Sequence, residues 1–140
     1  MLTRIESRSI PLMMQPSELV AAKLLPAIRA RLAQILMGEY HMKQVEVAKH
    51  MGITQAAVSH YNTRSRALDE EILRTFPEIE DSVKKIAEGI SRGLSKPEQI
   101  AAIESLCREI TKTERFCQYH RRCSCLDSEC QICFPRTDDA

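Results

Sequence analysis

The residues best suited to chemistry in this chain are its six cysteines, all of which lie in the last quarter of its 140 residues. Cys130 and Cys133 are separated by two residues, and so are Cys117 and His120. A two-residue gap lets both side chains converge on one metal atom. Cys107 precedes this group near the end of a predicted helix, and a ligand there would tie a metal site to the body of the protein. In a reducing cytoplasm, metal ligation is a better interpretation than a disulfide framework.

Two metal chemistries fit these ligands. Four thiolates from Cys107, Cys117, Cys130 and Cys133 would bind an iron–sulfur cluster, which would couple the protein to redox state or iron supply. Cys117, His120, Cys130 and Cys133 would instead form a Cys3His set suited to tetrahedral, redox-inert zinc. Six cysteines where zinc needs four favour the cluster. Free cysteines on a flexible tail are the remaining alternative.

Composition excludes several other classes of function. The chain has 20 Lys and Arg residues against 19 Asp and Glu residues, so net charge neither supports nor excludes a nucleic-acid partner. It contains no apolar run of roughly 18 residues, and its opening stretch lacks the apolar core of a signal peptide. We therefore expect a cytoplasmic protein without a membrane partner. With no phosphate-binding glycine-rich loop and no paired catalytic carboxylates in its centre, we do not expect an enzyme.

Helix-forming residues recur at helical spacing and only four glycines occur, which predicts an all-α fold. We expect a flexible arm over 1–15, a helical domain over 16–94, and a helix followed by a cysteine-rich tail over 95–140. A helix should start near Ser17, and Pro26 should kink or break it. Its apolar stripe comprises Leu19, Val20, Leu24, Ile28, Leu32, Ile35 and Leu36. Ser95 and Glu98 form a capping-box pattern, and periodicity fades after Thr113.

The centre of the chain predicts two short helices joined by a tight turn. The first covers Gln44 to Met51, Gly52 ends it, and Thr54 can cap a second helix from Gln55 to about Asn62. Two helices that cross at a steep angle need a small residue where they approach and a residue that tolerates positive φ in the turn. Ala48 and Gly52 meet these needs. The positions expected to pack the second helix onto the first are Val47, Met51, Ile53, Val58 and Tyr61.

The stretch QVEVAKHMGITQAAVSHYNTRSR resembles the helix-turn-helix of Cro-like and phage-repressor-like regulators, with the motif over 44–61. This resemblance implies that the second helix enters the major groove of double-stranded DNA. The residues it places nearest the base edges are Thr54, Gln55, Ala56, Ser59 and His60. Gln55 is suited to read adenine, and Ala56 to contact a thymine methyl group. The expected backbone contacts are Gln44, Asn62, Thr63, Arg64 and Arg66. An ordinary helical hairpin in an α-domain is the alternative.

A second resemblance covers most of the chain. LLPAIRARLA before the helix pair, ITQAAVSHY within it and Cys107…Cys117-x-x-His120…Cys130-x-x-Cys133 behind it are similar to a group of small, mostly archaeal predicted regulators with a cysteine-rich C-terminus. The chain departs from that group at Glu104, where a cysteine is frequent, and in its additional cysteines, Cys123 and Cys125.

These features predict a homodimeric, sequence-specific transcription regulator that senses redox state or iron through a cluster. The helices between Pro77 and Thr113 would either pair two copies or complete the monomer core. The apolar residues in question are Val83, Ile86, Ile90, Ile100, Ile103 and Ile110. Two alternatives come from other classes: an electron-transfer or cluster-carrier protein, which would not bind DNA in a salt-dependent way, and a zinc-stapled DNA-binding or protein-interaction adaptor.

Overall fold

In the computed structural model, residues 13–63, 66–124 and 130 are described, and every regular element among them is helical, as predicted. A π-helical segment (Val20–Leu24) joins the first two helices. The α-helices are α1 (Pro16–Leu19), α2 (Leu25–Gly38), α3 (Gln44–Met51), α4 (Gln55–Thr63), α5 (Arg66–Thr75), α6 (Glu78–Ser91), α7 (Lys96–Thr111) and α8 (Glu114–Ser124). None of the helices in these ranges is long and apolar enough to cross a membrane.

Pro26 widens the first helical stretch and does not break it. A proline lacks the backbone N–H that an α-helix needs, and its ring clashes with the carbonyl four residues earlier, here that of Ala22. The preceding turn adopts π geometry, in which the Leu25 N–H bonds the Val20 carbonyl five residues back. The helix also starts at Pro16, one residue before the predicted Ser17, and the Gln15 N–H bonds the Glu18 carboxylate at 3.1 Å.

Helix α2 lies at the centre of the core and packs against α3, α4, α5 and α6. The predicted apolar stripe is buried except for the half-buried Val20, and Ile28, Leu32 and Leu36 have no exposed surface. Helices α6 and α7 complete the same core through Val83, Ile86, Ile90 and Ile110, so these residues belong to the monomer. Ile103 is half-buried, and Ile100 departs from the expected apolar face because 69% of its surface is exposed.

Helix α8 closes the core where the sequence predicted an irregular tail. The rings of Phe116 and Tyr119 pack against Phe76, with centroids 6.2 and 5.8 Å away. Cys117 is also buried on this helix. The apolar period that was predicted to fade after Thr113 continues through this helix, because buried thiols act as small apolar groups and extend the helical stripe.

Candidate nucleic-acid interface

The tight turn between α3 and α4 is built on Gly52. Its φ is +67°, in the left-handed region, and its N–H bonds the Ala48 carbonyl. The Ile53 N–H bonds the same carbonyl at 3.0 Å. Left-handed backbone is accessible to glycine without the steric penalty that a Cβ brings. Gly52 therefore lets the chain end α3 and reverse into α4 within three residues, as its position in the sequence predicted.

The hydroxyl of Thr54 caps the start of α4, accepting a hydrogen bond of 3.0 Å from the Ala57 N–H. This satisfies one of the four N–H groups that a helix start leaves without an intrahelical partner. The five predicted packing positions all face the core. Val47 and Val58 are fully buried, and Met51, Ile53 and Tyr61 pack against the core while partly buried.

The predicted base-reading residues share the outer surface of α4. Thr54, Gln55, Ala56, Ser59 and His60 are all exposed, and so are Asn62 and Thr63. Ala56, His60 and Thr63 lie on the side of the helix away from Val58. Gln55 and Asn62, three residues before and four residues after Val58, border its packed side. Helix α4 carries no Asp, Glu, Lys or Arg side chain. We call the exposed side chains from Thr54 to Thr63 the α4 face. It combines hydroxyl, amide and imidazole groups, which donate and accept hydrogen bonds.

The predicted backbone contacts are only partly described. Gln44 is half-buried at the first position of α3, and the preceding Lys43 is exposed. Arg64 lies outside the described residues, as does the side chain of Arg66, the first residue of α5.

Three of the four predicted cluster ligands lie in the described part of the chain. Cys107 on α7 and Cys117 on α8 are buried, whereas Cys130 is half-buried. Cys133 is outside the described residues, as is Cys125. Burial, with a smaller contribution from Glu104, raises the pKa of the Cys107 thiol to about 11. Within the described ranges, no group of three His, Cys, Asp or Glu side chains is arranged to hold a metal ion.

His120, the fourth predicted zinc ligand, is buried and already engaged. Its Nε2–H donates to the Met14 carbonyl at 2.6 Å, and the Met14 N–H reaches the Ser124 hydroxyl at 3.4 Å. Because a carbonyl only accepts, Nε2 carries the proton and Nδ1 is the ring nitrogen left for a metal. The Ser124 hydroxyl also lies 3.4 Å from the Met14 carbonyl, so hydrogen bonds of Met14 join the start of the described chain to α8.

Arg121 joins the backbone of Cys130 to α8. Its Nη2 donates to the Cys130 carbonyl at 3.1 Å. Its Nε is buried and has no hydrogen-bond partner among the described residues. Since Cys117 lies one turn earlier on the same helix, Arg121 places a positive charge and a free donor near two of the predicted ligands.

Gln99 is a structural residue that the sequence interpretation missed. It is a buried polar side chain on α7, and its Nε2 donates to the His50 carbonyl at 2.9 Å and to the Leu94 carbonyl at 3.3 Å. Its burial could have been predicted from the sequence, because Gln99 continues the helical stripe of Ile103, Leu106 and Ile110 at i, i+4, i+7 and i+11. A polar residue in a core stripe needs a buried partner.

Comparisons with protein-family models, with curated proteins and with solved structures gave no match.

Proposed function

We propose that this protein is a sequence-specific DNA-binding transcription regulator that acts in the cytoplasm as a homodimer and reads double-stranded DNA with α4. The observation that carries this proposal is the α4 face: a capped helix whose inner side is buried in the core and whose outer side exposes polar hydrogen-bonding groups. Base edges in the major groove present donors, acceptors and methyl groups, which such side chains match.

The electrostatics of the helix pair support this role. The stretch 43–63 has Lys43 and Lys49 against a single carboxylate, Glu46, and α4 itself has none. A carboxylate on α4 would be repelled by the phosphates on both sides of a groove. The exposed start of α4 also carries the positive end of its helix dipole, which favours an approaching anion.

Dimerisation is proposed on energetic grounds. A helix of nine residues offers few base contacts, so one copy discriminates weakly between sequences. Two copies one helical turn of DNA apart would supply the usual specificity.

The DNA-binding proposal is tested by selecting sites from a random duplex library with the wild-type chain and then measuring variants. We expect Gln55→Ala to weaken binding to the selected site by about 1–3 kcal/mol while leaving random DNA unchanged, because it removes a base contact. Arg64→Ala should weaken both by the same factor, because it removes a phosphate contact. Gln118→Ala, which removes an exposed glutamine from α8, is the matched control and should change neither.

Two outcomes would contradict the proposal. Wild-type chain that shows no salt-dependent DNA binding would remove the function altogether. Equal losses on selected and random DNA for Gln55→Ala would remove Gln55 as a base reader.

The second part of the proposal concerns the cysteines: Cys107, Cys117, Cys130 and Cys133 hold an iron–sulfur cluster that reports redox state or iron supply, with zinc as the alternative. Arg121 supports it. The guanidinium bonds the Cys130 backbone to the helix that carries Cys117. Its buried Nε–H has no partner among the described residues and could donate a hydrogen bond to a cluster sulfur. The raised pKa of Cys107 means that ligation there must displace a tightly held proton.

Anaerobic purification followed by an absorption spectrum and by iron, sulfide and zinc analysis of one sample tests this part. Iron and sulfide in cluster stoichiometry are expected, with loss of both in Cys133→Ser. Cys123→Ser is the control, because Cys123 is outside the proposed ligand set, and it should retain the cluster. A colourless protein with stoichiometric zinc would replace the cluster by a structural zinc site, and no metal in either form would remove both.

A further inference from the structure

Helix α7 is fixed to the helix pair by Gln99. Its side chain is 5% exposed, and Nε2 bonds the His50 carbonyl, which is one of the last four carbonyls of α3. These carbonyls have no partner within their own helix. The same Nε2 bonds the Leu94 carbonyl just before α7, so one buried amide joins the end of α3 to the beginning of α7. The first turn of α7 therefore has a defined place beside the α3–α4 turn.

Lys96, the first residue of α7, lies across that turn. Its Cδ and Cε are 3.5 Å, and its Nζ 4.0 Å, from the position that a Cβ on Gly52 would occupy. The side chain is exposed, and it forms no ion pair with any residue in the described ranges. Gly52 is two residues before Thr54, the cap of α4. The ammonium group is thus held close to the start of the α4 face.

We propose that Lys96 binds a DNA phosphate beside the groove that α4 enters, and that Gln99 holds it in position to do so. This inference rests on the proposed DNA-binding function. Because the α4 face has no Lys or Arg side chain, strong attraction to the phosphates must come from neighbouring residues, and phosphate contacts fix the register of a base-reading helix. Lys96 meets this need. Its stem packs against the turn, no carboxylate of the described residues pairs with its ammonium group, and its charge adds to the positive end of the α4 dipole.

The test is the salt dependence of binding to a fluorescent DNA duplex that wild-type chain has selected and to a random duplex. The plot of log K against log salt concentration has a negative slope, and each phosphate contact that is lost makes it shallower by about 0.9. Lys96→Ala should make the slope shallower by about this amount and weaken both duplexes by the same factor. Lys96→Arg should retain the slope, because it keeps a cation on a long stem. Lys85→Ala, at an exposed position of α6, is the control and should leave the slope unchanged.

Gln99→Met separates positioning from folding, since it keeps a buried side chain of similar volume but removes both hydrogen bonds. It should reduce the slope of log K against log salt concentration as Lys96→Ala does. The slope of the Lys96→Ala, Gln99→Met double variant should be reduced no further than that of either single variant. Helical circular dichroism identifies a variant that has unfolded, and in that case Gln99→Leu, which is also apolar and also removes both hydrogen bonds, replaces it.

The outcomes separate this inference from the proposed function. If Lys96→Ala has the wild-type slope while Gln55→Ala still relaxes specificity, the phosphate contact is wrong and the DNA-binding function stands. If the wild-type chain binds neither duplex, both are wrong. Additive losses in the Lys96 and Gln99 double variant would remove Gln99 as the residue that positions Lys96.

Discussion

Replacing Gly52 by alanine tests whether the α3–α4 turn has the geometry described above. The φ of +67° costs an L-residue about 1–2 kcal/mol in this region. The added Cβ would meet the Lys96 stem at 3.5 Å, which is ordinary van der Waals contact, so no steric clash adds to that cost. Alanine also restricts the unfolded chain, which raises the free energy of unfolding by about 0.4–1 kcal/mol and partly offsets that cost. We expect Gly52→Ala to lower the free energy of unfolding by about 1 kcal/mol.

Gly38→Ala is the matched control for this prediction. Gly38 is the last residue of the α-helix α2, and a Cβ there would meet nothing within 4 Å. Alanine should stabilise the chain by about 0.5–1 kcal/mol at this position. Since both variants change the unfolded chain alike, the difference between them isolates the cost of positive φ, about 1–2 kcal/mol. Urea unfolding followed by circular dichroism measures it. Equal stability of the two variants would refute the left-handed turn.

Two further predictions concern the ion pair and the thiols. The hydrogen bond from Arg31 holds the pKa of Glu80 below its ordinary value of 4.5, so the stability from this pair is present above that value and is lost as pH falls through the lower, folded-state pKa. Glu80→Gln should therefore flatten the acid side of a plot of unfolding free energy against pH, whereas Glu109→Gln, at an exposed position, should retain the wild-type slope there. In metal-free protein at pH 8, iodoacetamide should label the half-buried Cys123 well before Cys107. Cys107 is only 5% exposed and its thiol has a raised pKa, so little reactive thiolate is accessible. Equal labelling rates by mass spectrometry would contradict the burial of Cys107.

The local signals in the sequence were sufficient for the helix pair. Gly52, the Thr54 cap and the packing positions around Val47 and Val58 each specify geometry within a few residues of themselves, and neighbouring signals agree. The same holds for the start of α7, where the Glu98 N–H bonds the Ser95 hydroxyl at 3.3 Å and the Ser95 N–H bonds the Glu98 carboxylate at 2.9 Å. Consistency between cap, turn and apolar period makes such elements predictable.

The parts that sequence reasoning missed depend on contacts distant along the chain. Whether Pro26 breaks a helix or widens it depends on the surrounding core, which here buries Leu24 and Ala27 on either side of the half-buried proline. Helix α8 was missed because its cysteines were interpreted as ligands, while Phe76, forty residues earlier, supplies the surface on which its rings pack. Gln99 needed the position of the His50 carbonyl, 49 residues away. None of these partners can be read from a local window.

The position of Cys107 determines how the proposed cluster could influence DNA binding. Cys107 and Gln99 lie on α7, eight residues or about 12 Å apart along the helix axis. Cys107 packs in the same core as Leu106 and Ile110, so drawing its sulfur into a metal site must displace the inner side of α7. A shift of α7 along or around its axis would strain the Gln99 bond to α3 and move Lys96 relative to the α4 face. Regulation through α7 therefore predicts that the metal state changes the salt slope of wild-type chain and leaves the slope of Lys96→Ala unchanged.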